Sequence, residues 1–224
     1  MGPAFVCRME DVLDLYAEVY AEPPDPRRPL VCFDERPYQL LSEVRPPEPC
    51  APGRPAREDA EYVREGTCNI FLWLAPHLGW RHADVTARRT AIDVAHQFRT
   101  LVDVHFPEAE VIRVVLDNLN VHTPAVLYQA FPPEEARRIA RKLELHYTPK
   151  HGPKHGSWLN MDEIELSVLS RQCLDQRLPT RECVAEVVAA WETRRNAAHE
   201  KVTWRFTTAT ARTKLARLYP VLQS

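Results

Sequence analysis

The fold of this chain is decided by the stretch Val111-Ile-Arg-Val-Val-Leu-Asp-Asn-Leu-Asn-Val-His122. Its first half is apolar and β-branched, which is typical of a buried strand, and the apolar run ends at Asp117-Asn118. Alternation along the strand places Asp117 on the same face as Val115. Open α/β sheets carry functional groups at the carboxyl ends of their strands, so Asp117 is the first candidate functional residue.

Two other stretches supply carboxylates that such a fold brings towards Asp117. A second short apolar strand, Leu30-Val-Cys-Phe-Asp-Glu35, carries Asp34, and an acidic helix start, Trp158-Leu-Asn-Met-Asp-Glu-Ile-Glu165, carries Glu163. Three carboxylates from two strands and a helix indicate a divalent-metal site for phosphoryl transfer, because hard cations such as Mg²⁺ prefer oxygen ligands. An alternative for Asp34 is a strand-end acid paired with Arg36.

The rest of the chain predicts one α/β domain. Its 224 residues are 45% hydrophobic and 27% charged, which suits a soluble domain with a sizeable core. Helical periodicity covers residues 9–20, 90–105, 160–174 and 180–199, whereas strands are predicted at 30–34, at 143–148 and on both sides of a turn at 76–79. This order predicts a mixed sheet with helices on both faces.

Basic residues are concentrated near the C-terminal end of a chain whose net charge is −2. Residues 194–217 contain seven lysines and arginines and a single acid. Such a segment is suited to contact a phosphate backbone, as are the arginines of the proline-rich loop at 45–57. The alternative at both places is an ordinary solvated surface. The candidate backbone contacts are Arg54, Arg57, Arg205, Arg212 and Lys214.

Cysteine usage and the absence of targeting signals predict a cytoplasmic protein. The six cysteines are scattered and form no CxxC pair, which favours reduced thiols over a disulfide framework or a zinc ribbon. No apolar stretch is long enough for a signal peptide or a membrane span, so we expect no membrane partner.

The sequence leaves two alternatives open near the candidate acids. A cluster of histidines is dense enough to bind zinc, although its spacing matches no usual zinc motif. Separately, Asn160 and Glu163 have the spacing of a capping box, in which the glutamate reaches back to the helix start. Asp162 and Glu165 then compete with Glu163 as the third metal ligand. The clustered histidines are His122, His146, His151 and His155.

Four motifs together resemble the catalytic region of mariner-related bacterial insertion-sequence transposases, which are DDE superfamily endonucleases. The resemblance extends over nearly the whole chain, from about residue 4 to 220. It implies an RNase H-like fold and an enzyme that uses two Mg²⁺ or Mn²⁺ ions to cleave double-stranded DNA at transposon ends and to transfer the strand. Related transposases act as dimers. The motifs are Cys32-Phe-Asp-Glu35, Val114-Val-Leu-Asp-Asn-Leu-Asn-Val-His122, Tyr147-Thr-Pro-Lys-His-Gly152 and Gly156-Ser-Trp-Leu-Asn-Met-Asp-Glu-Ile-Glu-Leu166.

The resemblance carries the family's three catalytic, metal-binding acids onto Asp34, Asp117 and Glu163. Asn118 and His122 follow the second acid, and we expect them to hold a ligand carboxylate or a substrate phosphate in place. On this basis the chain divides into a linker helix at residues 1–27, a catalytic domain at 28–176 and a C-terminal helical extension of that domain at 177–224.

The chain departs from the family pattern in three respects. It opens inside what resembles the linker, so we expect the family's helix-turn-helix region to be missing. The motif Pro-Lys-His-Gly occurs twice in tandem, at 149–152 and 153–156, just before the helix that carries Glu163. Asp162 adds a further acid beside Glu163. These departures motivate a second hypothesis, a non-catalytic remnant that binds DNA or dimerises and so inhibits an intact relative. A third hypothesis is a general RNase H-like nuclease or resolvase.

Overall fold

A five-stranded mixed sheet forms the centre of the molecule. The computed structural model describes residues 2–45, 49–55, 60–149 and 156–220. The strand order is β3-β2-β1-β4-β5, with β1 antiparallel to β2, β2 antiparallel to β3, and β1, β4 and β5 mutually parallel. This arrangement confirms the predicted mixed sheet. The strands are β1 (Leu30–Glu43), β2 (Tyr62–Ala75), β3 (Trp80–Thr86), β4 (Ile112–Leu116) and β5 (Leu143–Tyr147).

Helices cover both faces of the sheet. On one face α2 packs against β1 and β4, and it continues into a wider, π-helical turn at Leu101–His105. On the other face α1 packs against the same strands, and α5 and α6 pack against β2. No helix in the described ranges is long and apolar enough to cross a membrane. The helices are α1 (Pro3–Ala21), α2 (Ala91–Thr100), α3 (Leu127–Ala130), α4 (Pro133–Arg141), α5 (Asp162–Gln172), α6 (Arg181–Ala197) and α7 (Thr208–Lys214).

Strand β1 extends well beyond the predicted residues 30–34. Its polar second half stays extended because β2 pairs with it as far as Glu43. Strand β4 is much shorter, and its last residue, Leu116, lies opposite Phe33. Asp34 and Asp117 are therefore the next residues of two adjacent parallel strands. From Asp34 onwards, no strand in the described part of the chain pairs with this edge of β1.

Alternation within the strands determines which face carries the two aspartates. Val114 and Leu116 belong to the core beneath α2, whereas Val115 belongs to the core beneath α1. Cys32 likewise packs on the α1 side. The prediction that Asp117 shares a face with Val115 places both aspartates towards α1 and the start of α5.

Helix α1 is longer than the predicted helix at 9–20. It begins at Pro3, whose fixed φ suits the first helical turn. Phe5 and Val6 are buried in this added part, so packing against the protein stabilises residues that lack a clear helical pattern.

A substitution at Gly79 tests the turn between β2 and β3. Gly79 has a φ of +70°, and a Cβ there would lie 2.6 Å from the backbone oxygen of His199. Gly79→Ala should reduce the free energy of unfolding by about 2 kcal/mol or more, because the left-handed conformation alone costs about 1–2 kcal/mol. Thermal unfolding should show a Tm lower by about 4–8 °C.

Gly53 provides a matched control for the Gly79 substitution. It also has a positive φ, +76°, but a Cβ there would meet nothing within 4 Å. Gly53→Ala should therefore lower the Tm by less. Equal decreases in the two variants would mean that contact with His199 does not constrain Gly79.

Candidate active site

Asp34, Asp117 and Glu163 line one cleft of about 230 Å³. The cleft lies where β1 and β4 diverge and where α5 begins. Asp34 is partly buried and Glu163 is exposed, so the three acids approach the cleft from its floor and its wall. Asn118 and Asn160 add amide groups to the lining. The three acids that the sequence singled out thus share one solvent-accessible space.

Asp34 has a strongly perturbed carboxyl group. Burial, together with the nearby charges of Glu35, Asp117 and Glu163, raises the pKa of Asp34 to about 7. Within the described residues, the backbone N–H of Glu35 donates to Oδ1 of Asp34 at 2.8 Å. The alternative that Asp34 pairs with Arg36 is wrong, since Arg36 instead donates to the hydroxyl of Ser170. A divalent cation bound in the cleft would favour the charged form of Asp34.

His122 bridges Asp117 to a second carboxylate. Its Nδ1 lies 2.5 Å from Oδ1 of Asp117, and its Nε2 lies 2.9 Å from Oε2 of Glu35. Burial by itself would lower the pKa of His122, but hydrogen bonds to the two carboxylates raise it to about 9. At neutral pH the ring is therefore charged and donates from both nitrogens, which fixes the orientation of Asp117.

Glu35 is a site residue that the sequence reasoning missed. Its side chain is only 1% exposed, and Arg89 donates to it at 3.3 Å in addition to the bridge from His122. The signal was present in the sequence, because alternation puts Glu35 on the core face together with Phe33. A charged residue on such a face needs a partner, and the partner here comes from a distant part of the chain.

Asn118 is oriented by a cation that the sequence reasoning did not identify. In the amide orientation that satisfies both side chains, its oxygen accepts hydrogen bonds from the guanidinium group of Arg8 in α1. Asn118 therefore links the segment that follows β4 to helix α1.

The capping-box interpretation of Asn160 and Glu163 is wrong. Helix α5 begins at Asp162 without a side-chain cap. The Asn160 amide instead donates to the backbone oxygen of Phe33 at 2.9 Å, and its oxygen accepts from the N–H of Asp162 at 3.2 Å. Asn160 thereby ties the start of α5 to the end of the apolar part of β1, and the Glu163 carboxylate remains available to the cleft.

The two acids that competed with Glu163 lie inside the protein. Glu165 is 1% exposed and forms ion pairs with Arg81 at 2.9 Å and with Arg195 at 2.8 Å. Asp162 is completely buried, and burial, together with the charge of Asp34, raises its pKa well above the usual range. Neither residue lines the cleft.

The ends of the tandem repeat lie side by side. Pro149 and Gly156 both line the cleft, and a Cβ on Gly156 would lie 2.8 Å from Cδ of Pro149. Residues 150–155 lie outside the described residues. Pro149 follows β5 and Gly156 precedes α5. These two residues are adjacent in space although the repeat lies between them in the sequence.

The donor set of the cleft fits a hard divalent cation. Its acidic groups are carboxylates, and hard divalent cations prefer such oxygen ligands. Across residues 2–45, 49–55, 60–149 and 156–220, however, no three His, Cys, Asp or Glu side chains are already arranged around a single metal position. The acids therefore share the cleft without forming a closed metal cage.

Two of the four clustered histidines, His122 and His146, are described, and both contact carboxylates. His146 lies 2.8 Å from Asp11 and 3.0 Å from Glu144, whereas His122 contacts a different pair of carboxylates, those of Asp117 and Glu35. His151 and His155 lie outside the described residues. The zinc alternative thus gains no support from the two histidines that are described.

The candidate DNA-backbone cations lie in different surroundings. Arg212 in α7 forms a bidentate ion pair with Glu10 of α1, at 2.8 and 2.9 Å. Arg205, Lys214 and Arg54 are exposed. Arg57 lies outside the described residues.

Comparison with known proteins identifies a sequence family and solved structures of similar fold. A sequence model of the family described as DDE superfamily endonuclease matches residues 29–184. No curated protein matches the sequence. Among solved structures, the chain is similar to the Mos1 strand transfer complex with a TM-score of 0.57 and 16% identity, over 88% of this chain and 56% of that chain.

Two further solved structures have similar scores. The Mos1 mariner paired end complex with Mn gives a TM-score of 0.54 at 16% identity, over 89% of this chain and 58% of that chain. The catalytic domain of Mos1 mariner transposase gives 0.51 at 12% identity, over 91% of this chain and 98% of that chain. This chain therefore spans a little over half of the longer Mos1 chains, and the likeness confirms the predicted RNase H-like fold.

Proposed function

The chain belongs to the DDE superfamily endonucleases, and on this basis we propose that it is the catalytic region of a transposase that cleaves DNA at transposon ends and transfers the strand. The observation that carries the proposal is the shared cleft of Asp34, Asp117 and Glu163. The first two acids directly follow the last paired residues of β1 and β4, and the third lies on a helix that Asn160 ties to β1.

Asp34, Asp117 and Glu163 would hold two Mg²⁺ or Mn²⁺ ions. When bound, such ions activate the attacking oxygen and stabilise the leaving oxygen of a phosphodiester. Solved relatives described as Mos1 paired end complexes with Mn and with Mg support this choice of metal. It also agrees with the carboxylate donors of the cleft.

Other residues of the chain position the acids and the substrate. The charged ring of His122 fixes the Asp117 carboxylate and is itself held by Glu35. Asn118 lines the cleft beside Asp117, where its amide can donate to a phosphate oxygen. Such support commonly changes metal affinity or activity by about 10- to 100-fold.

Double-stranded DNA is the proposed partner, and the protein would act as a dimer in the bacterial cytoplasm near the nucleoid.

The adjacent ends of the tandem repeat support catalysis over the alternative of an inactive remnant, because the start of α5 keeps its contact with β1. A general nuclease shares the same cleft. It would cleave duplexes with and without transposon ends equally well.

Nicking of supercoiled plasmid by the purified chain in Mn²⁺ tests the proposal. We expect conversion to the open circle that EDTA prevents and that Asp34→Asn abolishes. Circular dichroism and thermal unfolding would establish that both proteins are folded. A folded wild-type chain that leaves the plasmid intact in Mn²⁺ and in Mg²⁺ would overturn the catalytic assignment in favour of the remnant.

A further inference from the structure

A groove leaves the cleft along the edge of β1 that no described strand pairs with. Its first part, about 610 Å³, begins at Asp34 and Glu163 and is bounded by β1 and α5. Its second part, about 790 Å³, continues along β1 to Glu43 and is bounded by the residues that follow α5. Both parts include Arg36 and Pro37. The cleft and the groove are therefore one continuous surface.

The groove presents cations next to the acidic cleft. Arg36 and Arg171 line its first part together with the hydroxyl groups of Ser167 and Ser170. The hydroxyl of Ser170 accepts a hydrogen bond from Arg36 and donates to the backbone oxygen of Leu166 at 2.6 Å, so the guanidinium group is held in place. Within the described ranges, neither arginine forms an ion pair with an acid.

The groove also contains acids. Glu35 in its first part is paired with His122 and Arg89, and Asp175 lies in its second part. Glu43 at the far end is paired with Arg177, which leaves Arg36 and Arg171 as the cations nearest to the cleft. An anionic occupant of the first part of the groove would lie beside these two guanidinium groups. Guanidinium groups and hydroxyls are common ligands of phosphate oxygens.

The edge of β1 is poorly suited to accept another strand. Pro37 lies in its middle and has no N–H to donate, and such residues protect sheet edges from pairing. Extended backbone from Asp34 to Gln39 spans about 16 Å, which corresponds to about five nucleotides along one DNA strand. Pro37 in the edge and the two guanidinium groups beside the cleft therefore fit a nucleic-acid backbone better than a peptide strand.

We infer that this groove binds the phosphodiester backbone of the DNA strand whose cleaved phosphate lies in the cleft. The inference rests on the proposed function for the identity of the substrate. It differs from the expectation that the C-terminal cations carry this contact. Those cations lie on or near α7, which packs against α1, and Arg212 is already paired with Glu10.

Two matched double variants separate the groove from the C-terminal segment. Arg36→Gln with Arg171→Gln removes two positive charges from the groove, and Arg205→Gln with Lys214→Gln removes two from the C-terminal surface. Binding of a fluorescein-labelled duplex is measured by anisotropy in EDTA at several salt concentrations, with the full chain. The groove variant should bind about tenfold more weakly, and the slope of log Kd against log salt should fall by about 2.

The C-terminal variant should keep the wild-type affinity and salt dependence. Equal losses in both variants, a loss in the C-terminal variant alone, or no duplex binding by the wild type would each overturn the inference. Plasmid nicking by the wild type distinguishes this failure from failure of the proposed function. Groove-dependent binding without nicking would remove the catalytic proposal and leave the groove assignment standing.

Arg36 also contacts Ser170, so the double variant could lose affinity because its fold is disturbed. The single variant Arg171→Gln keeps this contact and tests the groove without that complication. Arg171 is exposed on α5. The single change should weaken binding and lower the salt slope by about 1 while the Tm stays constant. Unchanged binding by Arg171→Gln would also count against the groove.

Discussion

Replacement of Asp117 by Asn is expected to abolish metal-dependent nicking while the protein stays folded. Asp117 lines the cleft directly after β4, and it is the acid that His122 orients. Asparagine keeps the size of the side chain and an oxygen that accepts from His122, but it removes the negative charge that a divalent cation requires. The rate should fall by more than about a hundredfold, because even residues that only support a metal ligand contribute 10- to 100-fold.

The measurement is the initial rate of open-circle formation in Mn²⁺, compared with the wild type at equal concentration. Asp11→Asn is the matched control, because Asp11 also contacts a histidine, His146, at 2.8 Å but lies outside the cleft. It should nick at the wild-type rate. Retained cleavage in the Asp117 variant would remove this residue from the catalytic set and with it the proposed site.

The sheet and the positions of the aspartates were predictable because they depend on local patterns. Alternation in a buried strand fixes which face Asp117 shares, and the apolar run of β4 ends at this acid. Asp34 and Asp117 meet because each directly follows the last residue pair of the parallel strands β1 and β4. The match between Phe33 and Leu116 provides this juxtaposition.

The support of the acids was not predictable, because it depends on contacts between distant residues. His122 meets Glu35 across 87 positions of sequence, and Asn160 meets the backbone of Phe33 across 127. Locally, the spacing of Asn160 and Glu163 fits a capping box just as well. In the folded chain the backbone N–H of Asn160 donates to the oxygen of Ser157, so the Glu163 side chain does not complete the box.

The extent of β1 illustrates the same limit. Its second half contains Pro37 and several polar residues, and their local preference for a strand is weak. Pairing with β2 nevertheless keeps these residues extended as far as Glu43. The groove beside the cleft exists because β1 continues where β4 stops, and no short sequence pattern encodes that difference in length.

Substitution of Glu165 by Gln should destabilise the protein strongly. Glu165 neutralises Arg81, whose side chain is fully buried, and also pairs with Arg195. Glutamine leaves the charge of Arg81 buried without a counter-charge, and loss of one partner of a buried ion pair typically costs about 3–5 kcal/mol. For a chain of this size, thermal unfolding should show a Tm lower by at least about 6 °C.

Glu163→Gln should have the opposite effect, a loss of nicking activity without a decrease in Tm. Glu163 is exposed in the cleft two positions earlier, so the Tm should stay near the wild-type value while nicking in Mn²⁺ is lost. Nicking is measured below the Tm of each variant, so that loss of fold and loss of chemistry remain distinct. If Glu165→Gln instead kept its Tm and lost nicking, Glu165 would be the third acid. The opposite profiles would show that neighbouring acids of one helical turn serve stability and chemistry separately, because one faces Arg81 and the other faces the cleft.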